Sequence, residues 1–213
     1  GLAILSGGLA FAGSASATDL IINGSFEEPN QGEWNGSFAT YNFTAAYFAG
    51  PPIPETENPG LKYSWRHRNG NNNDTPLTQR LDLTTGVAVS DIDAGTGKFA
   101  FSAWLASYTA NPEVALLSVD FLDEADLPIG GRIEISGANK SFMVINADGT
   151  GAEGWTPKNW TKYLREGSIP SGARAAIVGI THDPAAGLSG NPDTYVDLVS
   201  FDVGISEVAI PPA

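Results

Sequence analysis

The 213-residue chain contains no cysteine, which removes disulfides, thiolate nucleophiles and zinc–thiolate sites from consideration. Basic residues are scarce too: 11 Lys and Arg stand against 24 Asp and Glu, for a net charge of −13. A nucleic-acid binder needs a basic footprint to displace counterions from phosphate, and this composition excludes one. The same acidity disfavours anionic membranes and suits solubility outside cells and divalent cations such as calcium. His67 and His182 are the only imidazoles, and H-E-x-x-H, G-x-S-x-G and P-loop patterns are all missing. From Thr18 onward no stretch reaches the roughly 18 consecutive apolar residues that a spanning helix needs, so no membrane insertion is expected of the chain as given. Helical periodicity never lasts beyond two turns.

What is present favours strands. Hydrophobic residues make up 42% and charged residues 16%, enough to bury a sizeable core. The 25 Gly and 14 Pro supply many turns, as an all-β fold requires. Residues 1–17, "GLAILSGGLAFAGSASA", are uncharged, apolar and small, and close on Ala15-Ser16-Ala17. They read as the remnant of a signal peptide cleaved after Ala17, which places the protein outside the cell or on its surface. Residues 18–204 read as one domain, and 205–213, ending "AIPPA", as a linker.

Within the domain, "KFAFSAWLASY" (98–108) alternates cleanly: Phe99, Phe101, Ala103 and Leu105 face one way, and Ala100, Ser102, Trp104 and Ala106 the other. Further strands are expected at 19–24, 61–67, 77–84, 113–123, 130–136, 140–147, 173–183 and 194–204. "NWTKYLREG" (159–167) reads either as one helical turn or as an edge strand. Eight or more short strands punctuated by turn signals predict a two-sheet antiparallel β-sandwich.

Four motifs in order carry a resemblance. "LIINGSFEEP" opens the domain, "LTQRLDLTTG" and "GSIPSGARAAIVGI" lie inside it, and "YVDLVSFDV" closes it. Together they resemble the galactose-binding-like jelly rolls, and more narrowly the carbohydrate-binding modules of families 4, 9 and 22. That resemblance implies a structural calcium where the first and last strands meet, with Glu27 and Asp197 as its carboxylate ligands and backbone carbonyls completing the shell. Asn23 would then support the turn, Phe26 would enter the core and Glu28 would face solvent. The "AIPPA" end is similar to the lead-in of PEP-CTERM sorting anchors of exported bacterial proteins.

Sugars are bound by aromatic faces flanked by hydrogen-bonding side chains. Trp65 stands out because Arg66, His67 and Arg68 follow it directly, a local basic cluster suited to an acidic polysaccharide. Trp104 has only small neighbours on its face, which suits the floor of a groove; a packed cover would leave the same pattern. Trp65, Arg66, Arg68 and Trp104 are therefore the candidate ligand contacts. Asp123 and Asp126 in "VDFLDEAD" read as turn chemistry rather than as a glycosidase pair, and neighbouring His182 and Asp183 point to opposite sides of a strand. The leading expectation is a secreted, non-catalytic module that binds an extracellular or cell-surface polysaccharide and carries a structural calcium. The alternatives are a self-assembling envelope or matrix protein without a sugar ligand, and a jelly-roll polysaccharide lyase or hydrolase.

Overall fold

The computed structural model describes residues 17–27, 34–36, 39–42, 62–65, 76–107, 114–135, 143–146, 151–152, 161–183 and 194–205. The elements in chain order are β1 (Thr18–Asp19), β2 (Ala39–Asn42), β3 (Lys62–Trp65) and β4 (Leu77–Asp82). A 3-10 turn (Leu83–Thr85) and the short α1 (Val89–Asp93) follow. Then come β5 (Gly97–Ser107), β6 (Val114–Leu122), β7 (Ile133–Ile135), β8 (Met143–Asn146) and β9 (Gly151–Ala152). The last three are β10 (Thr161–Ser168), β11 (Ala175–Asp183) and β12 (Thr194–Ile205).

These strands form two antiparallel sheets. The larger runs β2-β3-β12-β5-β10-β8-β9, with β1 also on β12, and the smaller runs β4-β11-β6-β7. The chain is thus the all-β sandwich that its alternation predicts. The core lies between Phe99, Phe101, Val196, Phe201 and Val203 of the larger sheet and Leu81, Val119, Phe121 and Val178 of the smaller one. Phe99 and Phe201 stack with ring centres 5.6 Å apart, and Phe99 meets Phe121 at 5.5 Å across the sandwich. Each fully buried ring of this kind contributes roughly 1.5–3 kcal/mol through removal of apolar surface from water.

Several expected boundaries move. Of the segment 159–167, the described residues 161–167 form a strand rather than a helical turn: β10 has Thr161–Ser168 in register with Lys98–Leu105 on one side and Thr161–Leu164 paired with β8 on the other. Long-range pairing overrides its weak local pattern, and buried Tyr163 sits on the core face opposite Ala103. Of the strand expected at 19–24 only Asp19 lies in a strand, in β1, because Asn23 and Phe26, both at φ 54°, turn the chain. β4 stops at Asp82, whose Oδ1 accepts from the Thr84 N–H at 2.9 Å and caps the 3-10 turn.

The two ends of the domain meet on the outer edge of β12. β3 pairs with its start at Tyr195 and Val196, and β1 pairs with its later part at Asp202 and Val203. Between them the register slips, from Asp197 to Ser200, and Leu198 takes φ 48°. This bulge falls where the neighbouring strand changes, and residues 20–24 close the interval. Leu20 N–H donates to Phe201 O and Val199 N–H to Gly24 O, both at 3.0 Å. Position 24 must be glycine, because a Cβ there would lie 1.9 Å from the Val199 carbonyl oxygen.

A side chain replaces a missing strand next to this joint. Gln79 sits on the core face of β4, between Leu77 and Leu81, and is 2% exposed. Its Oε1 accepts from the Ile22 N–H at 2.8 Å and its Nε2 donates to the Ile22 carbonyl at 2.9 Å. One amide thereby satisfies both backbone groups of a residue with no strand neighbour of its own, and ties the smaller sheet to the N-terminal segment.

Candidate functional site

Residues directly opposite in an antiparallel pair share a face, so the register assigns the side of the larger sheet that turns away from the core. Trp104 of β5 lies opposite Asp197 of β12 and Lys162 of β10. Tyr195 of β12 lies opposite Ala106 and, on its other side, opposite Trp65 of β3. Two of the four expected ligand contacts, 39 positions apart in sequence (104 − 65), therefore occupy one face with only β12 between them. At the usual strand spacing they stand about 10 Å apart across the sheet. Tyr41 and Tyr63 pair with each other on the next two strands, and position 63 shares the parity of position 65. Arg66 and Arg68 lie outside the described residues, as do His67, Glu28, Trp155 and Trp160.

Trp104 itself requires a correction. An open groove floor would leave its ring accessible, yet it is 1% exposed, and its neighbours Asp197 and Tyr195 are 1% and 8% exposed. Its large apolar ring is covered rather than presented to solvent, the alternative that small neighbours on one face always leave open. The indole Nε1 finds no hydrogen-bond acceptor among the described residues. Trp34 is packed as well, with its Nε1 donating to the Asn23 carbonyl at 3.2 Å and its ring stacked on Phe26 at 5.9 Å.

Of the two expected calcium ligands, Asp197 is the last residue before the bulge, and its Oδ1 accepts from the Leu198 N–H at 2.8 Å. Glu27 follows Phe26, which is fully buried, three residues beyond the Gly24 carbonyl that meets Val199. The joint thus offers carboxylate and carbonyl oxygens, the donor type a hard cation takes. No group of three or more His, Cys, Asp or Glu side chains gathers among the described residues, so backbone oxygens would have to supply most of a calcium shell.

Below Trp104 the same face is lined by Ser102, Ala100, Ser200 and Asp202, with Glu166 opposite Ala100 and Lys98 Nζ donating to Ser168 Oγ at 2.7 Å. Burial holds the half-buried Asp202 carboxyl above the ordinary aspartate range, and nearby Asp19 raises it further, while Ser200 and Lys162 oppose the shift. The carboxylates of "VDFLDEAD" are engaged elsewhere. Asp123 Oδ1 accepts from the N–H groups of Ala125 and Leu127, and Asp126 pairs with Arg80 at 2.6 Å. Asp120 lies 3.6 Å from Arg132. These are turn and surface contacts, as the sequence pattern anticipates.

No protein-family model and no curated protein matches the chain. Solved structures do align with it. The C-terminal family 22 carbohydrate-binding module of Clostridium thermocellum Xyn10B shares 14% identity over 87% of this chain and 94% of its own, at a TM-score of 0.43. The xylan-binding CBM22-1 domain from Paenibacillus barcinonensis shares 13% identity over 87% and 93%, at a TM-score of 0.40. The enzymatically active domain of tailspike protein 4 from bacteriophage CBA120 shares 14% identity at a TM-score of 0.48. The alignment spans 86% of this chain but only 21% of that longer one.

Sequence reasoning missed Gln79, Tyr195 and Asp202. Gln79 carried a readable signal, since a polar residue at core parity between two leucines must find buried partners. Tyr195 and Asp202 become notable only once the register sets them beside Trp65 and Asp19.

Proposed function

We propose that the chain is a secreted, non-catalytic β-sandwich that binds an extracellular or cell-surface polysaccharide on the outer face of its larger sheet. The observation that carries this reading is the register that sets Trp65 opposite Tyr195, with Trp104 and Asp197 on the same face. Trp104, Tyr195 and Asp197 are buried, so in this reading the stacking falls to Trp65, with part-exposed Ser102, Ser200 and Asp202 as hydrogen-bonding groups on the face. Trp65, Arg66 and Arg68 act as ligand contacts, whereas Trp104 is buried and does not.

The joining of "NGSFE" to "YVDLVSF" along β12 supports the jelly-roll resemblance on which the calcium rests. In this reading Glu27, Asp197 and adjacent carbonyls hold the ion, which clips the two ends of the domain and stabilises the folded state by mass action.

Retention of the full chain on neutral and acidic polysaccharides, measured in calcium and again in EDTA, tests both parts. Retention that is lost in Trp65→Ala and weakened in Arg66→Ala and Arg68→Ala supports the binding face. A melting temperature that falls in EDTA supports the clip. Absence of retention in both buffers moves the reading to a structural envelope protein, and new reducing ends or unsaturated products overturn its non-catalytic part.

A further inference from the structure

A two-residue strand at the start of the domain carries an unfavourable pair. β1 has two residues, and its Asp19 lies directly opposite Asp202 of β12. Like charges in directly opposed positions of an antiparallel pair repel each other. The two carboxyls have different tasks. Asp19 Oδ1 accepts from the N–H groups of Ile21 at 3.0 Å and Phe201 at 2.9 Å. Asp202 Oδ2 accepts a hydroxyl, from Ser200 at 2.7 Å.

We propose that this pair is a proton-operated latch: the segment from Thr18 to Gly24 is held firmly along β12 while Asp202 is protonated and loosens when Asp202 ionises. The latch acts at a sensitive place, because the same segment closes the bulged edge of β12 through Leu20, Gly24 and Asp19. Among the described residues the charged groups that face Asp202 are few. Asp19 faces it from β1, and Lys162 from β10 attracts it. Glu166 of β10 lies beyond Ala100 in the same row, and Lys98 of β5 lies one row further on, opposite Gly204. Lys162 only partly offsets the burial and the repulsion, since the Asp202 carboxyl is held above the ordinary aspartate range.

The sign follows from linkage. A carboxyl whose folded pKa is raised keeps its proton where the unfolded chain has lost it. Its contribution therefore favours the folded, latched state at low pH and is lost as pH rises from the ordinary aspartate value through the raised one.

The test is amide hydrogen exchange by NMR on the full chain, read as protection factors for Leu20, Val199 and Phe201 across the mildly acidic range. Protection is expected to fall severalfold as pH rises through the Asp202 pKa, with no such fall at the buried amides of β11. In Asp202→Asn, which keeps an acceptor for Ser200 without a charge, protection should stay high and lose this pH dependence. In Asp19→Asn the pKa of Asp202, followed by its side-chain carboxyl resonance, should move down. Flat protection in the wild type, or a pH dependence that survives in Asp202→Asn, overturns the latch. Calcium titration is the further control: shifts at Asp19 and Asp202 that saturate with calcium and vanish in EDTA make the pair a cation site and overturn the proton mechanism.

Discussion

The two faces of β5 are built from alternate residues of a single stretch, yet they follow different rules. On the core face Phe99, Phe101, Ala103 and Leu105 are all buried in the core cluster between the sheets. On the outer face Ala100 and Ser102 are partly exposed, and Trp104 is buried with an indole nitrogen that no described residue accepts. Hydropathy determines the first face, where every position has one requirement, to be apolar and of the right volume. The second face answers to what lies opposite in register, so a Ser, an Asp and a Trp have meanings there that composition alone does not carry.

The largest expected effect breaks this comparison at adjacent residues. Phe101→Ala removes a fully buried ring in contact with Phe201 and should cost about 3–5 kcal/mol in urea unfolding. Ser102→Ala, one residue further along on the other face, should cost less than about 0.5 kcal/mol. Equal costs would mean that the outer face is packed as tightly as the core. Next comes the joint between the ends. Gly24→Ala drives a Cβ into the Val199 carbonyl and should cost about 3 kcal/mol by loosening residues 20–24 from β12. An unchanged melting curve would show that this edge contributes little to the fold.

Gln79→Leu keeps an apolar volume at a core position but strands the Ile22 N–H and carbonyl, and should cost about 2 kcal/mol. A stabilised variant would place Gln79 with the ordinary core positions of β4 and remove its role as a surrogate strand.

How much of this the sequence carries depends on whether the signal is local. The alternation of 98–105, the turn chemistry of Asp123 and the burial of Phe26 are properties of a few neighbouring residues, and each is found where the sequence puts it. The placement of β10 depends on partners about 60 residues away, so its local pattern misleads. The anchoring of Ile22 depends on Gln79, 57 residues away. For the site, the expectation that Trp65 and Trp104 contact a ligand rests on residue chemistry alone, and the face they share is assigned by register across β12, which the sequence does not carry. The burial of Trp104 was equally hidden: a cover and an open groove ask for the same small neighbours.

The smallest effect separates the two faces most finely. Tyr163 and Trp104 are both buried, sit on adjacent strands of the larger sheet, and each has a polar atom without a hydrogen-bond partner among the described residues. Tyr163 faces the core, where burial pushes its phenol well above the usual tyrosine range and keeps it neutral. An unpaired hydroxyl in apolar surroundings is a cost, so Tyr163→Phe should be neutral or stabilising by up to about 1 kcal/mol. Trp104→Phe removes the unpaired N–H but also leaves a smaller ring in its place, and the two terms oppose each other. If Tyr163→Phe instead destabilises the protein, its hydroxyl is satisfied in the folded state, and the core face of this sheet is less uniformly apolar than its alternation implies.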